Sequence, residues 1–257
     1  MIPKPNTKSV NTGVLLVGHG TRDAVGTRQF FQLEQQLSER LPAVPVAAAL
    51  LEFQTPTIPE AWNQLIAQGV THVHVAPLLL FAAGHAKQDI PAILAQCQQE
   101  HPAITFDQSR PLSRHAAILD LVLRRLDTML ASCQHSLQRT VIVMVGRGSH
   151  DPCAQADMRI LSEITARKTE VAEVVPAFYA MAEPRLPAIL KEVAEAGRFD
   201  AVVVHPHLLF EGKLNQAIIR QTKEAAVRYP SLQWLTSAYL GPDACVADAI
   251  AARIGIA

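Results

Sequence analysis

Short apolar runs alternate along the chain with longer segments in which apolar residues recur every three or four positions. In the first half the short runs, rich in Val, Leu and Ala, predict strands at residues 14–17, 44–51 and 72–80. The longer segments predict helices at residues 28–41, 58–68, 90–99 and 115–130. Nearly continuous apolar strands that alternate with helices are typical of a parallel sheet with helices on both faces.

The same order of motifs restarts in the second half. VGHGTRD at residues 17–23 returns as VGRGSHD, and PTIP at 56–59 returns as PRLP, both 128 positions later. PLLLF at 77–81 returns as PHLLF after 129 positions. Three matches in one order at a nearly constant offset indicate a tandem duplication. We therefore predict two α/β units, residues 1–135 and 136–257, each with a four-stranded parallel sheet.

Composition narrows the classes of function. The 257 residues are 49% apolar, which is ample for a core, and 23 basic residues balance 23 acidic ones. A net charge of zero gives no general attraction to nucleic acid or to an anionic membrane, and an anionic ligand needs a local basic patch. No apolar stretch is long enough for a membrane span, and no signal peptide is evident, so we expect a cytoplasmic protein. The four cysteines form no C-x-x-C pair, which argues against disulfide, iron-sulfur and thiolate-zinc sites.

Three polar side chains follow three consecutive predicted strands. His19 lies between Gly18 and Gly20 after the first strand, and Glu52 and His85 follow the next two. Ligands of parallel α/β sheets bind beyond the carboxyl ends of the strands, and the glycines would let the backbone turn tightly beside a ligand. Two imidazoles and a carboxylate suit divalent cobalt, iron, nickel or zinc.

The second copy lacks all three groups. Arg147 replaces His19, Ala180 replaces Glu52, and Lys213 replaces His85, or Leu214 does if the one-residue gap is placed differently. Groups needed only for folding would be expected in both copies. We therefore place the chemistry in the first copy.

Structural explanations compete with this interpretation. A single histidine near a strand end is more often a surface or hydrogen-bonded residue than a metal ligand. His72 and His74 form an H-x-H pair on one face of a strand, as do His205 and His207. We assign both pairs mainly structural roles, with metal contact as the alternative, because they should lie before or within the strand body.

Several segments together resemble the class II chelatases of the CbiX/SirB type, the sirohydrochlorin chelatases, in their two-copy single-chain form. They are LLVGHGTRD at residues 15–23, the segments 50–61 and 75–91, and VGRGSHDP and VVVHPHLLFEGKL in the second copy. The resemblance extends from about residue 13 to 250. It implies two flavodoxin-like units and insertion of Fe²⁺ or Co²⁺ into sirohydrochlorin, in siroheme or cobalamin biosynthesis. It also implies that His19 and His85 are the metal-binding and catalytic pair, with Glu52 as a supporting ligand or proton acceptor.

Metal insertion requires loose binding of the ion and removal of two pyrrole protons. A neutral imidazole can ligate a metal and later accept a proton, so no organic cofactor is expected and the metal is a substrate. Sirohydrochlorin is polyanionic, so basic groups should surround the cleft. The candidates follow the histidines or lie at the equivalent edge of the second copy: Arg22, Lys87, Arg147, His150 and Lys213.

Other functions fit the sequence less well. A histidine phosphatase would have an arginine before the histidine, where this chain has Gly18. A non-enzymatic carrier of divalent metal is the main alternative, although the chain has no histidine-rich tail; an inactive relative would not be expected to keep His19 and His85. The choice between iron and cobalt, with Ni²⁺ as a further candidate, stays open, as does that between monomer and homodimer.

Overall fold

The structure, a computed structural model, describes residues 11–82 and 84–255, with only the backbone at position 85. The first half contains β1 (Thr12–Gly18), α1 (Ala24–Arg40), β2 (Val46–Leu50), α2 (Ile58–Ala67), β3 (His72–Pro77), α3 (Ile90–Glu100), β4 (Thr105–Gln108) and α4 (Ala116–Leu130). The second half contains β5 (Thr140–Gly146), α5 (Pro152–Lys168), β6 (Glu173–Phe178), α6 (Leu186–Glu195), β7 (Ala201–Pro206), α7 (Lys213–Arg228), β8 (Gln233–Thr236) and α8 (Ala244–Ile254). None of the helices described is both long and apolar enough to cross a bilayer.

The eight strands form two parallel sheets with the same order, β2-β1-β3-β4 and β6-β5-β7-β8. Strands β1 and β5 are inner strands of the two sheets, and both are buried on both faces. Leu15 and Val17 of β1 pack with α2 and α3, whereas Val14 and Leu16 face the opposite layer. The strand order is the flavodoxin-like one. This confirms the predicted fold of two four-stranded parallel sheets with helices on both faces.

Several element bounds differ from the prediction for physical reasons. Helix α1 begins at Ala24, before the predicted residue 28, because Asp23 accepts hydrogen bonds from the first backbone amides and caps the helix. Strand β3 ends at Pro77, not at residue 80, because its neighbour β1 ends at Gly18 and offers no further partner.

Helices α4 and α8 follow the last strand of each sheet, β4 and β8, but each packs against the other half of the chain. Helix α8 packs against α1 and β3, while α4 packs against α5 and β7. One apolar core therefore includes Leu16 of β1, Met144 of β5 and Ile250 of α8. Because the spatial halves do not follow the sequence halves, a domain boundary between residues 135 and 136 stays a prediction.

Candidate functional site

A cavity of about 1050 Å³ lies at the carboxyl ends of the central strands of both sheets. The turns that follow β1 and β5, residues 18–23 and 146–151, contribute to its lining. The two turns thus bring equivalent side chains of the two copies to one cavity. His19 comes from the first turn and Arg147 from the second. The volume is at the upper end of the roughly 300–1,000 Å³ range of small-molecule pockets.

The walls of this cavity are mostly apolar and aromatic. Their large side chains come from both halves: Phe30, Phe53, Leu78, Leu79, Leu80, Phe81, Phe178, Met181, Leu208, Leu209 and Phe210. Phe53 and Met181 are equivalent in the two copies, both are exposed, and both have positive φ angles, 69° and 58°. Such a backbone conformation is strained for bulky residues, and strain of this kind concentrates at functional sites.

His19 is half-buried directly beyond the end of β1. Its Nδ1 lies 3.2 Å from the carbonyl oxygen of Gly20, and its ring centroid lies 6.5 Å from that of Phe53. A carbonyl only accepts, so this contact requires a proton on Nδ1. In the neutral ring the lone pair is then on Nε2.

The glycines beside His19 line the cavity, as a tight turn beside a ligand requires, and contacts within the protein also require them. A Cβ on Gly20, whose φ is 90°, would lie 2.1 Å from the carbonyl oxygen of Glu52. A Cβ on Gly148, the counterpart of Gly20, would lie 1.7 Å from the carbonyl oxygen of Ala180. A Cβ on Gly18 would lie 2.6 Å from the ring of Phe30. The glycines thus belong to the shared scaffold, whereas the histidine is particular to the first copy.

Glu52 is exposed and does not belong to the cavity lining, although its neighbour Phe53 does. Its backbone amide donates to the carbonyl oxygen of His19 at 3.0 Å, and the amide of Ala180 makes the same bond to Arg147 at 2.9 Å. This equivalence supports the sequence pairing of Glu52 with Ala180. It also means that the fold uses the backbone of Glu52 and does not require its carboxylate.

The side chain of His85 lies outside the described part of the structure. Its backbone begins a π-helical turn, His85–Asp89, that continues into α3. His85 therefore lies at a helix start, eight positions beyond the end of β3, and not directly at the strand end as expected. Gly84, Ala86 and Asp89 around it line the cavity. In the second copy α7 begins at Lys213, so both Lys213 and Leu214 lie in its first turn, and the counterpart of His85 stays open between them.

Four of the five predicted basic groups line the cavity: Arg22, Arg147, His150 and Lys213. Lys87 does not belong to the lining. Its Nζ lies 2.5 Å from Oδ2 of Asp151, and this bond connects the two halves of the chain. Hydrogen bonding to Asp151 raises the pKa of Lys87, and hydrogen bonding to Lys87 lowers the pKa of Asp151.

The acidic residues in the lining are Asp23, Asp89, Asp151 and Glu211. Asp23 accepts hydrogen bonds from the first turn of α1, Asp151 does the same for α5, and Glu211 accepts one from Asn215. In the described part of the chain, Arg22, Arg147 and Lys213 take part in no ion pair; the guanidinium of Arg22 lies 4.7 Å from the ring centroid of Phe53. The lining therefore offers cations to an anionic ligand.

His207 also lines the cavity, although the sequence analysis placed it within a strand body. It lies just beyond the end of β7 and is buried, with its ring centroid 5.5 Å from that of Phe81. Neither ring nitrogen has a hydrogen-bond partner among the described residues. The sequence signal was the match of PLLLF with PHLLF, which places His207 opposite Leu78 at a strand end.

Comparisons with known proteins agree with the internal repeat. A family model described as CbiX matches the chain twice, at residues 13–129 and 141–257. Two proteins of Priestia megaterium are similar over most of their lengths. A sirohydrochlorin cobaltochelatase is 26% identical over 89% of this chain and 74% of its own, and a sirohydrochlorin ferrochelatase is 29% identical over 93% and 88%. The solved structure of SirB from Bacillus subtilis with Fe³⁺ has a TM-score of 0.85 at 26% identity and covers 95% of this chain and 94% of SirB.

Proposed function

The chain belongs to the CbiX family, and we propose that it is a chelatase that inserts Fe²⁺ or Co²⁺ into sirohydrochlorin. One observation carries the proposal: the cavity between the two sheets joins His19, apolar aromatic walls and cations that form no ion pair among the described residues. A flat macrocycle fits between apolar walls, its carboxylates need cations, and its central nitrogens need a metal donor. The product would enter siroheme or cobalamin biosynthesis.

In this proposal His19 and His85 hold the metal ion before insertion. The bond from His19 Nδ1 to Gly20 orients the ring, and we assign Nε2 as the ligand atom. His85 begins a π-helical turn, and such turns are frequent at functional sites. Two protein ligands hold an ion loosely, with the remaining positions open for transfer to the tetrapyrrole.

Insertion exchanges one divalent ion for two pyrrole protons. Each imidazole can accept a proton once its bond to the metal breaks. Glu52 is exposed, so we propose it as a proton acceptor toward solvent in preference to a metal ligand. This exchange needs no electron transfer and, in our proposal, no organic cofactor.

Cations on both sides of the cavity would bind the carboxylates of the substrate. Arg147, His150 and Lys213 belong to the second copy and Arg22 to the first, so the two copies divide the work. The first copy, residues 1–135, handles metal and protons, and the second, residues 136–257, supplies most of the charge. Lys87 is removed from the set because Asp151 engages it. Phe53 and Met181 are placed to contact the faces of the macrocycle.

The identity of the metal stays open between iron and cobalt. Relatives named for each metal are similar to this chain to nearly the same degree. Both ions accept imidazole and carboxylate ligands, and affinity order alone does not set selectivity in cells. Ni²⁺ stays a further candidate, and a monomer and a homodimer both stay compatible with the proposal.

The test is anaerobic insertion followed by the absorbance of sirohydrochlorin, with Fe²⁺ and Co²⁺ in separate reactions. We expect the wild type to accelerate insertion over the protein-free reaction, and His19→Ala and His85→Ala each to lower the rate by about 100-fold or more. His101→Ala is the matched control, because His101 bonds Asn63 away from the cavity lining. Metal binding without acceleration of insertion would instead indicate a carrier and would reject the chelatase.

A further inference from the structure

A second group of metal-ligating side chains lies on β3 and β4, outside the cavity lining. His72 and His74 project from the same face of β3, and Asp107 is the register partner of His74 on β4. One ligand atom from each of the three lies within 4.8 Å of the other two. Nδ1 of His74 lies 2.5 Å from one carboxylate oxygen of Asp107, and Nε2 of His72 lies 3.8 Å from the other.

One pair of these atoms already has the spacing of two ligands of a single ion, whereas the closer pair, Nδ1 of His74 and Oδ1 of Asp107, is hydrogen bonded. Two ligands that each bind an ion at about 2 Å stand roughly 3 to 4 Å apart, as Nε2 of His72 and Oδ2 of Asp107 do. The two imidazole centroids are 4.6 Å apart with the rings at 81° to each other, so the rings do not stack face to face. Small shifts of exposed side chains would therefore bring all three groups around one ion.

A neighbouring hydroxyl orients one of the rings. Nδ1 of His72 is 2.7 Å from Oγ1 of Thr105, its register partner on β4. Metal-binding histidines usually engage their second nitrogen in this way, which fixes the ring and leaves the other nitrogen for the ion. The side chains of His72, His74 and Asp107 are 22%, 19% and 59% exposed, so an ion can reach them from solvent.

The second sheet shows that these polar groups are not needed to build such a strand pair. In the identical register of β7 and β8, Ala201 stands for His72, Val203 for His74 and Leu235 for Asp107. Those apolar residues complete an equivalent parallel pair. The polar cluster of the first sheet therefore has a purpose other than strand pairing.

We propose that His72, His74 and Asp107 form a binding site for a borderline divalent cation such as Zn²⁺, Ni²⁺, Co²⁺ or Fe²⁺. Two imidazoles and one carboxylate are the ligands that these ions accept, with further positions open to water. The site lies toward the amino end of β3, and the cavity lining begins at Leu78, four residues or about 13 Å along the strand direction from His74. It therefore binds independently of the cavity and of the proposed chelatase activity.

The test uses Zn²⁺ as the probe and full-length protein in which His19→Ala and His85→Ala remove the histidines of the cavity. Calorimetry should detect one ion per chain with a Kd of about 1 μM. Adding His72→Ala, His74→Val or Asp107→Leu should abolish this binding or weaken it by at least about tenfold. Thr105→Val should weaken it by about 10-fold because the ring of His72 loses its orienting partner.

The controls separate a lost ligand from a lost fold. Each of the three ligand substitutions copies a residue that the second sheet already carries at that position, so folding should survive. Zn²⁺ should raise the thermal midpoint of the parent protein and not that of His74→Val. His101→Ala should leave Zn²⁺ binding unchanged. Unchanged binding in both His74→Val and Asp107→Leu, or half-saturation only at about 1 mM or above, would overturn the proposal.

Discussion

His205 and His207 are two fully buried imidazoles in the second half, and burial sets their charge. Burial lowers the pKa of His205 to about 3, with smaller contributions from His207 and Arg125, and it lowers the pKa of His207 to about 4. His205 bonds the hydroxyl of Ser237 at 2.7 Å. Both rings are therefore neutral in the folded protein at physiological pH, and His207 presents an uncharged nitrogen base beside the cavity.

These pKa values predict how stability depends on pH. In the unfolded chain both histidines titrate near 6.5, so between about pH 6.5 and pH 4 the unfolded state binds protons that the folded state does not. The free energy of unfolding should fall as the pH is lowered through this window, with an upper limit of about 1.4 kcal/mol per pH unit for each histidine. Urea unfolding at several pH values measures this slope.

The first sheet supplies a matched substitution for the same measurement. Leu78 occupies the position of His207, so His207→Leu should fold and should show a shallower dependence of stability on pH. His101→Ala serves as the control for loss of a histidine elsewhere in the chain, because His101 is only half-buried and bonds Asn63. A slope in His207→Leu equal to that of the wild type would contradict the assignment.

The turns after β1 and β5 share the same backbone features but differ in the side chain that each presents to the cavity. Both are fixed by a glycine that lies against a carbonyl oxygen and by an aspartate that caps the following helix. On that common frame the first turn presents His19 and the second presents Arg147. In the proposed function, exchange of this one side chain on a fixed turn converts a metal-binding position into a charge-binding one.

The β5–α5 turn carries a prediction about substrate affinity. Arg147→Ala should raise the KM for sirohydrochlorin about tenfold with little change in kcat, because it removes a cation from the cavity and no metal ligand. Lys87→Ala should raise KM less than Arg147→Ala does, because Lys87 lies outside the lining and only its ion-pair partner Asp151 belongs to it. Steady-state insertion kinetics at fixed ionic strength compares the two variants. An increase in KM for Lys87→Ala as large as that for Arg147→Ala would restore Lys87 to the substrate site.

The elements that the sequence predicted well are those whose signal is local. The apolar strands and the amphipathic helices of the first half were found near their predicted positions because burial of a repeated pattern determines them. Strand β4, with the sequence TFDQ, is short and half-polar and carries no such signal. The π-helical turn at His85–Asp89 depends on how α3 enters the fold, which periodicity does not encode.

The sequence predicted only those residues of the candidate site that differ between the two copies of the repeat. Comparison of the two copies singled out His19, because a functional side chain stood on a frame that both copies share. It could not show that Glu52 is exposed, that Lys87 is engaged by Asp151, or that His207 reaches the cavity. The Lys87–Asp151 bond and the packing of His207 against Phe81 join residues far apart in sequence, 64 positions in the first case, and periodicity does not encode such contacts.

The molecule as a whole has one central core to which both sheets contribute. It includes Leu16, Met144 and Ile250. Helix α8, from the second half of the sequence, covers the sheet of the first half. A fragment of residues 1–135 should therefore lack a cooperative unfolding transition as a monomer, because the face that α8 covers would be open. Adding the fragment 136–257 should restore both the transition and the two-sheet cavity.

Circular dichroism during heating and size-exclusion chromatography test this expectation on the two fragments and their mixture. Full-length protein is the reference for the midpoint and for the elution volume. A monomeric 1–135 fragment that unfolds cooperatively near the full-length midpoint would show that the first half is stable without α8.

The position of α8 at the end of the element order also has a consequence for biosynthesis. A chain emerging from the ribosome can pair β1 to β4 early, but the apolar surface on α1 and β3 is covered only after α8 has been made. Partly made chains with exposed apolar surface are prone to aggregate. We therefore expect nascent chains that end before α8 to aggregate more readily than the completed chain.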